Sequence, residues 1–397
     1  MTAPDPESGL LPTIFIIAGE QSGDVLGASL MRELTGRLGG NVRFIGVGGS
    51  RMAAAGLSSM FPMEAISLHG LAEVLVRLPD LWRRIHRAAD AIVAANPDVL
   101  VLIDTPGFNL RVGKLVRRRS PAIPIVDYVS PQVWAWAPWR ARRMAPIVDR
   151  LLAILPFEPE VHRRLGGPPT VYVGHPLTER ADALRARPGE RTPLGRSSRP
   201  VLLVLPGSRR SEISRLMQRF GAAAGLVAAR VGPIEIILPA VADLADEIRA
   251  RAAAWPVQPT IVLGEEAKQA AFRRAHAALV ASGTVTLELA LAGVPMVVAY
   301  RVDIFLRLLK PFFMARSIVL ANLIVGSNPI PEYLDGDATP ETLATALGPL
   351  LVESSARARQ LAAFDRIEKL MLLDEGTPSG RAADVVLQAM RRRTSPL

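Results

Sequence analysis

The chain has 397 residues, 49% hydrophobic and 21% charged, a composition that builds globular cores at a length that suits two domains. It contains no cysteine, which excludes a disulfide scaffold, a Cys-zinc site and a thiol nucleophile and favours a reducing cytoplasm. Its formal charge of +10 fits an anionic substrate, an anionic membrane surface or nucleic acid as partner.

The opening MTAPDPESGLLP has neither a basic n-region nor a long apolar core, so it does not read as a signal peptide. Apolar runs at 13–19, 42–49, 97–104, 123–130, 150–157 and 170–176 are expected as short buried strands. Amphipathic helices lie between them, for example at 25–38 and 78–95. Strand alternating with helix implies right-handed crossovers and a parallel sheet covered on both faces. The Arg- and Pro-rich stretch 178–200 has no apolar periodicity and is expected as a linker. The alternation then restarts at 201–208, 234–240, 259–264, 277–282 and 294–300, and the chain from Thr342 onward is helical in pattern. The expected fold class is therefore α/β, with two Rossmann-like doubly wound domains facing a cleft. No apolar run approaches the ~20 residues of a membrane-spanning helix.

In such sheets ligands bind at the carboxyl ends of strands. After the first strand, AGEQSGDVLG sets Glu20, Ser22 and Asp24 where a helix begins. Two carboxylates there suit a hydroxyl-rich ligand better than a pyrophosphate, and Asp24 is read as a helix cap. PDVLVLID ends in Asp104, and Pro106 and Gly107 bend the chain behind it. That carboxylate either takes a proton from a hydroxyl nucleophile or closes an Asx turn. In LPGSRRSEI, Gly207 and Ser208 open a helix and Arg209 offers a guanidinium fork for phosphate. In VASGTVTLELALAGVPMVV, a strand passes to a helix through Ser282, Gly283 and Thr284, with Glu288 four residues further on. Backbone N–H groups at such a turn welcome an anion, although an ordinary Ser/Thr cap has the same pattern. The five histidines show no ligand spacing, so no metal site is expected.

Basic residues are unevenly spread. Residues 77–143 hold 12 Lys/Arg against five Asp/Glu, and YVSPQVWAWAPWRARRM sets Trp134, Trp136 and Trp139 beside three arginines. A solvated Arg-rich face accounts for much of this charge, and packing between elements is the default for such tryptophans. A nucleic-acid module would interleave more exposed aromatics than a chain with 5% of them supplies.

Taken together and in order, AGEQSGD, GVGGSRM, HGLAEVL, PDVLVLIDTPGFN, YVSPQVWAW, ILPFE, VGHPL, LPGSRRSEI, ASGTVTLE, PMVVAYR and ANLIVG resemble the lipid-A-disaccharide synthase family across nearly the whole chain. The resemblance implies an inverting, metal-independent GT-B glycosyltransferase without a cofactor. It would join UDP-2,3-diacylglucosamine to 2,3-diacylglucosamine 1-phosphate, giving the β-1,6-linked disaccharide 1-phosphate and UDP. It further implies an acceptor domain at 1–177, a linker at 178–200, a UDP-sugar domain at 201–375 and a helix at 376–397 returning to the first domain. Asp104 and Glu20 fall on the acceptor and catalytic side; Arg209, Ser282, Gly283, Thr284, Glu288 and Asn322 fall on the nucleotide side. Three positions depart from the family pattern: Gly107 where a second Asp is common, His69 for a Met, and Ala321 for a Pro. Apolar residues beside basic ones at 57–88 and 304–320 are expected to meet the cytoplasmic face of the inner membrane peripherally, and nucleic acid is not an expected partner. The competing readings are another UDP-sugar enzyme, a GlcNAc transferase or an epimerase, and a basic peripheral binding protein. Acyl-chain preference and oligomeric state have no signature in the sequence.

Overall fold

The computed structural model describes residues 11–66, 71–195, 199–301 and 314–394. The chain divides into two compact units: the part up to Pro176 together with the part from Leu373 onward, and Leu177–Leu372.

Unit 1 is built on seven parallel strands, β1 (Thr13–Ala18), β2 (Arg43–Val47), β3 (Ser58–Ser59), β4 (Val99–Ile103), β5 (Ile125–Tyr128), β6 (Arg150–Ala153) and β7 (Thr170–Tyr172). Their spatial order is β3-β2-β1-β4-β5-β6-β7, so the direction of winding reverses between β1 and β4. From Ile14 onward β1 is apolar, as is all of β4, because helices cover both faces. On one face Ile14, Ile16, Val99 and Val101 pack with Leu30 and Leu34 of the helix Gln21–Arg37 and with Ala382 and Val386 of the helix Pro378–Thr394. On the other, Phe15, Ile17, Leu100 and Leu102 pack with Ile85 and Ile92 of Leu71–Ala95 and with Phe108 and Val112 of Pro106–Arg119.

Unit 2 repeats the plan with β8 (Val201–Leu205), β9 (Glu235–Ala240), β10 (Thr260–Leu263), β11 (Ala277–Ala281), β12 (Met296–Tyr300) and β13 (Glu332–Leu334), in the order β10-β9-β8-β11-β12-β13. Its reversal lies between β8 and β11. The core joins Leu202, Val204 and Leu279 to Ile213, Met217 and Phe220 of the helix Arg210–Val231 and to Leu343 and Leu347 of Pro340–Leu347.

The α/β class and the doubly wound order agree with the reading of the sequence, as do eleven of the thirteen strands. The other two, β3 and β13, span two and three residues at sheet edges, too few to show a period. The stretch expected as a free linker is not one. It forms the turn Pro176–Arg180 and the helix Ala181–Leu184, and Arg191 then binds it to unit 2. The Arg191 guanidinium donates to the carbonyls of Phe272, Ala292 and Gly293, closing two helix ends. His69 and most of 304–320 lie outside the described residues. Among the described residues no helix is long and apolar enough to cross a membrane.

Candidate active site

In unit 1 the loops that follow β1 and β4 meet at the reversal. A Cβ at Gly19 would collide with the Thr105 hydroxyl, so glycine is what lets the two loops touch. Glu20, in the β1 loop, is partly exposed, and Asp104, in the β4 loop, stands at the same edge. Asp104 and Thr105 both take left-handed conformations, φ 52° and 45°. Such residues cost of order 1–3 kcal/mol each and persist where surrounding contacts over-determine them. Here the contacts are explicit. The buried Asn109 amide donates to the carbonyls of Ile103 and Asp104 at 3.1 and 2.7 Å, and Asp104 N–H donates to Tyr128 O at 2.9 Å. Among the described residues the Asp104 carboxylate accepts only the adjacent Thr105 N–H, at 2.8 Å. Asp24 is the cap it was expected to be, but of a different helix. Buried in Gln21–Arg37, it accepts from the N–H groups of Gly49, Arg51 and Met52 at 2.8–3.0 Å and so caps Ser50–Ala54.

Unit 2 presents its own pair of loops at the β8/β11 reversal. The turn Ser282, Gly283, Thr284 leads into the helix Val285–Leu291 with no side chain capping it, and the N–H groups of Gly283 and Thr284 have no partner among the described residues. Gly283, at φ 154°, uses a conformation that L side chains rarely adopt. Ser282 Oγ donates to Ile318 O at 2.8 Å, which ties the turn to the segment before Asn322.

Three expectations change here. The Gly207–Ser208 turn is not an open anion seat, because the Glu212 carboxylate already accepts from Ser208 and Arg209 N–H at 3.1 and 3.3 Å. This is a capping box one turn into the helix, and it leaves the Arg209 side chain projecting, 69% exposed. Glu288 stands 2.7 Å from Lys268 Nζ and is therefore half of an ion pair. Asn322 is buried, and its amide is spent on Ile330, donating to its carbonyl at 2.9 Å and accepting its N–H at 3.1 Å. It clamps the loop after Leu320–Val325, with a longer contact to Ser317 Oγ at 3.4 Å.

The sequence reading gave no role to several buried or half-buried ionisable groups of unit 1, of which Asp127 stands beside Asp104. Asp127, next to last in β5, is fully buried with Oδ2 unpartnered. Burial raises its pKa well above the ordinary carboxylate range, the Asp104 charge raises it further, and Arg140 opposes both. Arg140 is drawn below the usual arginine value by burial, with Asp127 pulling it back. Glu158 is buried too, accepting from Leu155 N–H at 3.0 Å and Trp134 Nε1 at 3.2 Å, and burial pushes it up to about 7. His162 donates or accepts at Ser130 Oγ across 2.8 Å, and burial takes its pKa down to about 4. Of the three tryptophans, Trp134 packs edge-on against Phe157, whereas Trp136 and Trp139 are 46% and 55% exposed. A cavity of about 700 Å³ in unit 2, lined by Pro331, Pro349, Arg359 and Arg366 among others, includes none of the candidate residues.

Two Rossmann-like sheets, each with polar loops at its switch point, are the build of the GT-B class of fold. Solved structures of that class match nearly the whole chain. A putative UDP-N-acetylglucosamine 2-epimerase from Listeria monocytogenes superimposes with a TM-score of 0.61 at 14% identity over 97% of each chain. MurG of Acinetobacter baumannii superimposes with a TM-score of 0.57 at 14% identity over 95% of this chain and 99% of its own. Similarity at this level defines the fold alone. The family model for lipid-A-disaccharide synthetase matches residues 14–383, and the lipid-A-disaccharide synthase of Rhodopseudomonas palustris is 53% identical over 96% of both chains. The chain belongs to the lipid-A-disaccharide synthase family, and it is a glycosyltransferase of lipid A disaccharide synthesis.

Proposed function

We propose that unit 1 binds 2,3-diacylglucosamine 1-phosphate, that unit 2 binds UDP-2,3-diacylglucosamine, and that the reaction joins them through a β-1,6 linkage. The observation that carries this reading is the placement of Glu20 with Asp104, and of Arg209 with residues 282–284, on the strand pairs flanking the two reversals. Asp104 takes the proton of the acceptor's 6-hydroxyl as that oxygen attacks the anomeric carbon of the donor. The bond from that carbon to UDP breaks in the same step, leaving its electron pair on the pyrophosphate and inverting the configuration. Arg209 and the free N–H groups of Gly283 and Thr284 meet the departing charge. Glu288, oriented by Lys268, accepts from nucleotide hydroxyls, Asn322 works by holding its loop, and Glu20 orients the acceptor.

We further propose that the protein works at the cytoplasmic face of the inner membrane. Four acyl chains enter with the two substrates. The exposed Trp82, beside exposed Arg83 and Arg87, suits an anionic interface.

Incubation with both substrates tests the reaction: UDP and disaccharide 1-phosphate should appear in equal amounts, and neither should form when one substrate is withheld. Conversion of the UDP-sugar without acceptor would instead favour the epimerase reading.

A further inference from the structure

We infer that Arg140, lying over the exposed ring of Trp136, is the seat of the acceptor's phosphate group. The inference rests on the reading of a sugar 1-phosphate acceptor and of Asp104 as its base. Several arginines of unit 1 are ion-paired: Arg37 with Asp384, Arg84 with Asp80, Arg117 with Asp149, Arg119 with Asp90 and Arg163 with Glu160. Arg140 is different. It is half-buried, and its guanidinium makes no hydrogen bond or ion pair among the described residues. Its guanidinium carbon stands 5.4 Å from the Trp136 ring centroid, a stacking that holds the planar fork while leaving its donors free. A desolvated cation with five unused donors is costly unless something anionic completes it.

Asp127 does not complete it. Burial and Asp104 press that carboxyl toward its neutral form against the pull of Arg140, and its Oδ2 makes no hydrogen bond to the guanidinium. It does link the two, since Asp104 N–H bonds to the carbonyl of Tyr128, the residue after Asp127, and the Asp127 carboxyl feels both charges. Asp104 follows β4 and Arg140 follows β5, strands that pair side by side about 4.8 Å apart. A hexopyranose carries its 1-position and its 6-hydroxymethyl on the two carbons that flank the ring oxygen. A base and a phosphate anchor for the same sugar must therefore stand within about a sugar's width of each other, as Asp104, directly after β4, and Arg140, in the helix Trp139–Met144 that follows the neighbouring β5, are placed to do. The backbone singles out the same place. Of the six non-glycine residues with positive φ among those described, Asp104 and Thr105 lie in the loop after β4, and Val129 and Ala137 in the loop after β5. Val129, β-branched at φ 81°, is strained backbone of the kind held at ligand sites.

The test compares two acceptors, diacylglucosamine 1-phosphate and the same sugar without phosphate, with UDP affinity measured alongside. In the parent protein kcat/KM should favour the phosphorylated acceptor. Arg140→Gln should cut that preference by about tenfold to a hundredfold, the loss of charge-assisted hydrogen bonds, and leave UDP affinity unchanged. Arg140→Lys keeps the charge near Asp127 and loses only the fork, so it guards against misfolding and should lose several-fold of the preference. An unchanged preference in both variants, with the parent active, overturns the inference while the proposed reaction stands. A parent that ignores the phosphorylated acceptor overturns the reaction and the inference together.

Discussion

Glu158 gives the chain a pH dependence that one substitution should erase. In the unfolded chain this carboxyl ionises near 4.5; folded, burial moves it to about 7. Between those values the folded state holds a proton that the unfolded state has lost, so stability falls as pH rises. Nothing is lost below about 4.5, and above about 7 the loss is complete. At about 1.4 kcal/mol for each pH unit between the two values, the full loss is about 3 kcal/mol. The bonds from Leu155 N–H and Trp134 favour the ionised form and are already counted in a value of about 7. Glu158→Gln cannot titrate. At pH 5 it should match the parent or fall below it, because one amide end is wrong for a donor partner. By pH 8.5 it should have gained about 3 kcal/mol on the parent. Urea unfolding followed by tryptophan emission reads this directly, since Trp82, Trp134, Trp136 and Trp139 lie in unit 1 and only Trp255 in unit 2. Parallel pH curves for parent and variant would refute the account of Glu158 as a buried acid.

Asp104→Asn keeps shape and hydrogen bonding but cannot take a proton, so turnover should fall by ~10²–10⁴-fold with UDP affinity nearly unchanged; weaker UDP binding instead would mark Asp104 as a structural residue. Arg209→Ala should weaken UDP binding about tenfold or more without altering the thermal midpoint, read by titration calorimetry. Asp24→Ala strands the N–H groups of Gly49, Arg51 and Met52 around a buried site and should destabilise unit 1 by about 2–4 kcal/mol, read by urea unfolding.

The sheets were legible because parallel strands buried on both faces are continuous apolar runs, and the site loops because small residues and charges gather where those runs stop. What stayed hidden was partnership. Lys268 and Glu288 are 20 residues apart, and Asn322 looks like a ligand group until its amide is seen bonded to Ile330. Asp127 reads as one polar residue in a strand, and only the pairing of β5 with β4 sets it beside Asp104. Glu212 is an exception, for its spacing from Arg209 is a local signal visible in SRRSEI. Asp24 shows the limit from the other side: its chemistry as a cap is local, whereas the helix it serves begins 26 residues later.

The last helix, Pro378–Thr394, belongs to the first unit, and this orders the making of the protein in time. While a ribosome is still adding residues beyond Leu177, the sheet begun at Thr13 lacks Ala382, Ala383 and Val386, and Ile14, Val99 and Val101 have that part of their cover missing. Unit 2 is one uninterrupted span of chain and is fully synthesised first, although it starts second. A premature stop shortly after Leu372 would therefore spare the later-begun half and cripple the earlier one. The nascent chain therefore carries an unfinished apolar face throughout the making of unit 2.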